Sequence, residues 1–145
     1  MFSNMLQPAK RPRVLGLYRN VGATTAVEGA SPHKLVGMLY EAVSDEIAAA
    51  RGALQRRDVA EKGRAIAHAV RILEEGLMAP LDLEGGGEIA TNLRDIYQYM
   101  VFRLTMGNLH SDDAALAECA GLVRTLRESW GAIAPQVDVP ARAAA

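Results

Sequence analysis

The side chains best equipped for chemistry in this 145-residue chain are three histidines, one cysteine and a glycine-rich acidic run. A helical protein of this size can hold a di-iron or haem centre, and the di-iron version needs Glu-x-x-His pairs facing one another. His33, His68 and His110 fall on different segments, and no Glu-x-x-His motif accompanies them. They read as surface or core residues, and no metal site and no cofactor is assigned. Cys119 lies on an apolar periodic position, where a small thiol is ordinary packing, and no base partner can be nominated for a nucleophile. A lone cysteine also excludes an internal disulfide and suits a reducing compartment. The run Glu-Gly-Gly-Gly-Glu at 84–88 lacks the Lys-Ser/Thr of a phosphate-binding loop and follows no strand, so it reads as a flexible interhelical hinge. Glu41 with Asp45, and Arg124 with Glu128, read as solvated helix faces. No catalytic residue emerges.

Composition narrows the classes further. Half of the residues are hydrophobic but only 5% are aromatic, a mixture that favours helices over strands. Sixteen basic residues meet 17 acidic ones, for a formal charge of -1, and no helix gathers Lys and Arg on one face. A nucleic-acid partner is therefore not expected. Lys10, Arg11 and Arg13 are followed only by a short apolar run, too short for a signal peptide. No stretch approaches the roughly 18 apolar residues that span a bilayer, so the chain is expected to be cytoplasmic and without membrane insertion.

The elements that position these side chains can be read from periodicity. Residues 1–30 carry turn formers (Pro8, Pro12, Gly16, Asn20, Gly22, Gly29) and no pattern, which predicts a flexible arm with at most a helical turn over Val14 to Arg19. A bundle is expected over 31–134 and a disordered tail over 135–145. Within the bundle, Ser31 and Pro32 open a first helix with Leu35, Leu39, Val43, Ile47, Ala50 and Leu54 at spacings of three and four. Asp58 and Glu61 open a second, with Val59, Gly63, Ile66, Val70, Leu73 and Leu77, and Pro80 closes it. A third starts near Glu88, with Ile89, Leu93, Ile96, Met100 and Leu104. Ser111 or Asp112 caps a fourth, with Leu116, Cys119, Val123, Leu126, Trp130 and Ile133. The fold class is all-α, an antiparallel four-helix bundle.

The stretch Ser-Pro-His-Lys-Leu-Val-Gly-Met-Leu-Tyr-Glu-Ala-Val at 31–43 carries more apolar residues than a narrow stripe needs, with Val36 and Tyr40 beside the seam and Met38 further round. In the third helix Tyr97, Tyr99, Val101 and Phe102 surround most of the circumference. Some of these fill the flanks of a wide core stripe; together they point to a groove that accepts another amphipathic helix. Val14, Leu15, Leu17, Tyr18 and Val21 offer a detachable cover for it.

Three motifs in order carry a family resemblance: Ser-Pro-His-Lys-Leu into Met-Leu-Tyr, Ile-Ala-x-Asn-Leu followed by Tyr-x-Tyr-Met, and Leu-Arg-x-x-Trp. Over about Tyr18 to Ile133 the chain resembles the flagellar secretion chaperones of the FliS family. The resemblance implies a non-enzymatic cytoplasmic bundle that binds the C-terminal segment of flagellin, prevents early polymerisation and helps deliver it to the flagellar export apparatus. It implies Tyr18 as a residue covering the empty groove. It also implies partner contacts from Leu35, Met38, Leu39 and Tyr40 of the first helix and from Ile89, Asn92, Leu93, Tyr97, Tyr99 and Met100 of the third. Asn92 is expected as a polar anchor, and Trp130 as a core lock for the fourth helix. A regulatory adaptor using the same groove is the alternative, and a homodimer is left open. Two departures bear on the groove's shape: Tyr40-Glu41-Ala42 replaces the motif's Tyr-Asp-Gly or Tyr-Asn-Gly, and Gly37 sits inside a helix.

Overall fold

The computed structural model describes residues 29–133, which are helical with no strand among them. Helix α1 spans Pro32–Gln55, α2 Val59–Arg71, α3 Gly87–His110 and α4 Asp113–Ala132. From Arg71 the chain continues directly into a π-helical stretch, Ile72–Met78. The expected arm and tail, apart from Gly29 and Ala30, lie outside the described residues, and Tyr18 lies there too.

Local chemistry sets the ends. Ser31 accepts a hydrogen bond from the Lys34 N–H at 3.1 Å, satisfying one of the donors that a helix start leaves open, and Pro32 has no N–H to satisfy. Asp58 caps α2 by accepting from the Glu61 N–H at 3.1 Å. Of the two candidates at the last start, Asp112 is the cap, accepting from the Ala114 N–H. Ser111 instead closes α3 in the left-handed region, at φ 49°. In the turn before α3, Asp82 Oδ1 accepts from the Gly85 N–H at 2.9 Å, and Gly87 takes φ +59°, a conformation that costs a glycine little.

Helix α1 packs against both α2 and α4, while α3 lies against α4 and the π-helical stretch. Three contacts fix the antiparallel order. At one pole the His33 Nε2 lies 2.7 Å from the Trp130 carbonyl and the Trp130 Nε1–H donates to the His33 carbonyl at 2.8 Å. At the other, Arg51 grips both carboxylate oxygens of Asp113, at 2.9 and 3.0 Å. There too the Lys62 ammonium donates to the Asn108 carbonyl at 3.1 Å and to the Ser111 hydroxyl at 2.7 Å, capping the negative end of α3. The fold is the all-α four-helix bundle read from the sequence.

The core corrects two details of that reading. Helix α1 has no surplus apolar face: Leu35, Val36, Leu39, Tyr40, Val43 and Ile47 are all buried, and Met38 and Leu54 are half-buried. A helix flanked by two neighbours needs a wide stripe, and α1 has two. In α2 the buried positions are Lys62, Ala65, Ile66, His68 and Ala69, whereas Val59 is 71% exposed and Gly63 and Val70 are half-buried. The π-helical stretch that follows, closed by the Ala79 N–H to the Glu74 carbonyl at 2.9 Å, keeps Ile72, Leu73 and Leu77 inside. Among the described residues no helix is long and apolar enough to cross a membrane.

Candidate partner-binding surface

Tyr40, Tyr97 and Trp130 of the motifs meet at the pole where α1 begins and α4 ends. The Tyr40 and Tyr97 hydroxyls hydrogen-bond at 2.6 Å, joining α1 to α3 across the bundle. The Trp130 ring meets Tyr40 edge-on at 6.5 Å and stacks on His33 at 4.9 Å. Because a carbonyl only accepts, His33 Nε2 is the donor in its contact with Trp130. Burial pushes the Tyr40 phenol up to about 12, with the Tyr97 hydroxyl pulling the other way. Tyr97 is raised well above the ordinary phenol value, mainly by burial. Both are neutral hydroxyls in service as a polar link in an apolar core. A small void of about 10 Å³, close to what one water requires, lies among Tyr40, Tyr97, Trp130 and Leu77, with Leu93 on its wall. Trp130 occupies the core position expected of it.

Along α1 and α2 a second buried polar group forms. Glu46 is bonded by two Arg64 nitrogens at 3.0 and 3.2 Å and by His68 Nδ1. Burial alone pushes the Glu46 carboxyl up, but the hydrogen bonds from Arg64 and His68 outweigh it and hold it below the usual carboxylate range. His68 Nε2 has no hydrogen-bond partner among the described residues. Cys119 is buried, its thiol pushed up to about 12 by burial, which keeps it protonated and inert as a nucleophile. His110 is exposed. Among the described residues no group of His, Cys, Asp and Glu is placed to hold a metal ion.

The residues expected to meet a partner divide into two sets. Leu35, Leu39, Tyr40, Tyr97 and Met100 face the interior, while Met38 and Leu93 are half-buried. Ile89, Asn92 and Tyr99 face outward on α3. Asn92 is exposed, so burial does not oblige its amide to find a protein partner. The Tyr99 hydroxyl donates to Glu118 of α4 at 2.8 Å, beside Arg103, which holds the same carboxylate at 2.6 Å.

The outward face of α3 carries more than those three. Tyr99 is 44% exposed, Phe102 58% and Leu109 69%, with Met106 half-buried between them. Their spacing of three, four and three keeps them on one side of the helix, a continuous apolar stripe across the half of α3 that approaches His110. Leu109 and Met106 escaped the sequence reading because Leu104 was taken as the end of the seam. The signal that finds them is a second heptad-like series, Tyr99–Phe102–Met106–Leu109, rotated away from Tyr97–Met100–Leu104.

Comparison with known proteins places this arrangement. The family profile described as "Flagellar protein FliS" matches residues 15–137. The flagellar secretion chaperone FliS of Salmonella typhimurium is 43% identical over 119 residues, 82% of this chain and 88% of that relative. The flagellar secretion chaperone FliSB of Pseudomonas aeruginosa is 37% identical over 116 residues, 80% of this chain and 91% of its own. The Escherichia coli FliS is 35% identical over 113 residues, 78% of this chain and 83% of its own. With most of its length matched and the three motifs in place along a four-helix bundle, the chain belongs to the FliS family of flagellar secretion chaperones.

Proposed function

We propose that this chain is a cytoplasmic export chaperone that binds the C-terminal segment of flagellin, keeps it from polymerising and helps deliver it to the flagellar export apparatus. The observation that carries the reading is the α3 stripe of Tyr99, Phe102, Met106 and Leu109 on a protein of this family. An amphipathic client helix needs a row of apolar anchors at helical spacing, and this stripe supplies one. Burying it removes exposed aromatic and aliphatic surface from water, worth about 25 cal/mol for each Å² covered. Ordering a client that is disordered when free offsets most of that gain, which keeps the complex reversible, as an export chaperone requires. The half-buried Leu93 and Met38 and the exposed Ile89 extend contact toward the pole where Tyr40, Tyr97 and Trp130 meet.

The reading is tested by mixing the protein with a synthetic peptide of the flagellin C-terminus. One-to-one binding by calorimetry with a gain of helical circular dichroism is the expected result. No heat at micromolar concentration and no added helicity would remove the flagellin assignment.

A further inference from the structure

A second cavity, of about 370 Å³, opens at the opposite pole, between the α1–α2 turn and the start of α4. This is the low end of the range for small-ligand sites. Its apolar wall is Leu54 and Val59, and its polar wall is Lys62, Arg57 and Ser111, with Asp58 as the one carboxylate. Lys62 is the unusual member, a lysine residue only 4% exposed. It has three N–H donors, of which the Asn108 carbonyl and the Ser111 hydroxyl take two. Both acceptors are neutral, and no carboxylate lies within ion-pair distance of Lys62 among the described residues. Buried charges in proteins are ordinarily paired, so this one is short of an anion. Asp58 lines the same wall but makes no ion pair with Lys62, its Oδ1 accepting instead from the Glu61 N–H. Arg57 adds a second cation, also without an ion pair among the described residues, on a backbone at φ 60°. Lys62 and Arg57 against Asp58 leave the wall one positive charge in excess.

We infer that this cavity binds a carboxylate attached to an aliphatic group, the carboxylate accepting from Lys62 and Arg57 while the aliphatic part packs on Leu54 and Val59. The source is the α-carboxylate of the client's last residue, an identification that rests on the proposed function above. The chaperone would then read the end of its client's chain as well as the apolar face of its helix.

Two arms separate the site from the source. In the first, N-acetyl-leucine and N-acetyl-leucinamide are titrated into the isotopically labelled protein alone. Amide shifts at Val59, Lys62 and Ser111 that saturate with the acid and are absent with the amide are expected; no shift with either compound overturns the cavity's assignment. In the second, the flagellin C-terminal peptide is compared as free acid and as C-terminal amide, with the amide expected to bind about tenfold more weakly, as loss of one charged hydrogen bond implies. Equal affinities with a positive first arm overturn the client terminus as the source. Failure of both peptides to bind removes the flagellin reading while the first arm still decides the site. Arg57→Gly is the variant of choice, since glycine takes a left-handed backbone without cost: it should fold at least as stably yet bind the acids more weakly, with Arg57→Lys restoring part of the affinity. Unchanged affinity in Arg57→Gly would overturn the role given to the guanidinium.

Discussion

At the scale of single residues, the Tyr40–Tyr97 hydrogen bond is the most consequential contact in the core, because both hydroxyls are buried and each is placed to satisfy the other. Removing one leaves its partner without a bond, and an unsatisfied buried hydroxyl costs about 1–3 kcal/mol. Tyr40→Phe and Tyr97→Phe should each lower unfolding stability by that amount, whereas the double variant should lose less than the sum of the two. Urea denaturation of the four proteins checks this as a double-mutant cycle; strict additivity would show that the bond contributes nothing. The same pair dictates an alkaline limit. Unfolded phenols ionise near pH 10 or so. Folded Tyr40 is pushed up to about 12, so above the unfolded value the folded state holds protons that the unfolded chain has released. Stability is therefore complete below that value and declines as pH climbs toward 12, and Tyr40→Phe/Tyr97→Phe should remove most of the slope. The sequence singled out both tyrosines and misjudged their surroundings. Periodicity says which side of its own helix a residue occupies, but not that α1 and α3 face each other diagonally across a closed bundle.

At the scale of the element, glycine separates helices that tolerate a side chain from one that does not. A Cβ at Gly37 would come no closer than 4.0 Å to the Trp130 ring, and one at Gly63 would meet nothing within 4 Å. Gly37→Ala and Gly63→Ala should each raise stability by up to about 1 kcal/mol, the ordinary helix-propensity gain. At Gly107 a Cβ would fall 2.9 Å from the Leu116 side chain and 3.3 Å from Ala115, where α3 and α4 turn into each other. Gly107→Ala should lower the melting temperature despite its better propensity, and thermal unfolding of the three variants checks the contrast. Helix starts were legible because Ser31 and Asp58 announce themselves, and the seams of α1 and α4 followed the spacing closely. The seams of α2 and α3 did so only in part: Ile66, Leu73, Leu77, Met100 and Leu104 are buried as read, but Val59 and Ile89 are exposed. The π turn over Ile72–Met78 has no clear mark in the sequence, and Lys62 reads as a surface residue although it is buried against the end of α3. In α3, Ala90 rather than Ile89 lies inside, and with Leu93, Tyr97, Met100, Leu104 and Gly107 it forms a seam that an apolar-only reading assigns to its larger neighbours.

At the scale of the whole molecule, the bundle was readable as four periodic blocks with short joints, and the surplus of apolar side chains was readable in kind but only partly in place. It sits on α3 and not on α1, since α1 spends its surplus on two neighbours. Phe102→Ser and Leu109→Ser should therefore leave unfolding stability within about 0.5 kcal/mol, as exposed positions do, yet weaken the flagellin peptide by tenfold or so when combined. Calorimetry beside urea denaturation separates the two effects, and a stability loss without an affinity loss would relocate the client surface. The reciprocal bonds between His33 and Trp130 join residues 97 apart in sequence at one corner of the bundle. The fold is thus nearly circular in its connectivity, and where the covalent chain happens to be cut matters little to its packing. A permuted version that splices residue 133 to residue 31 through a few glycines and opens between Glu84 and Gly85 should reassemble the same interior, with its single tryptophan fluorescing as before.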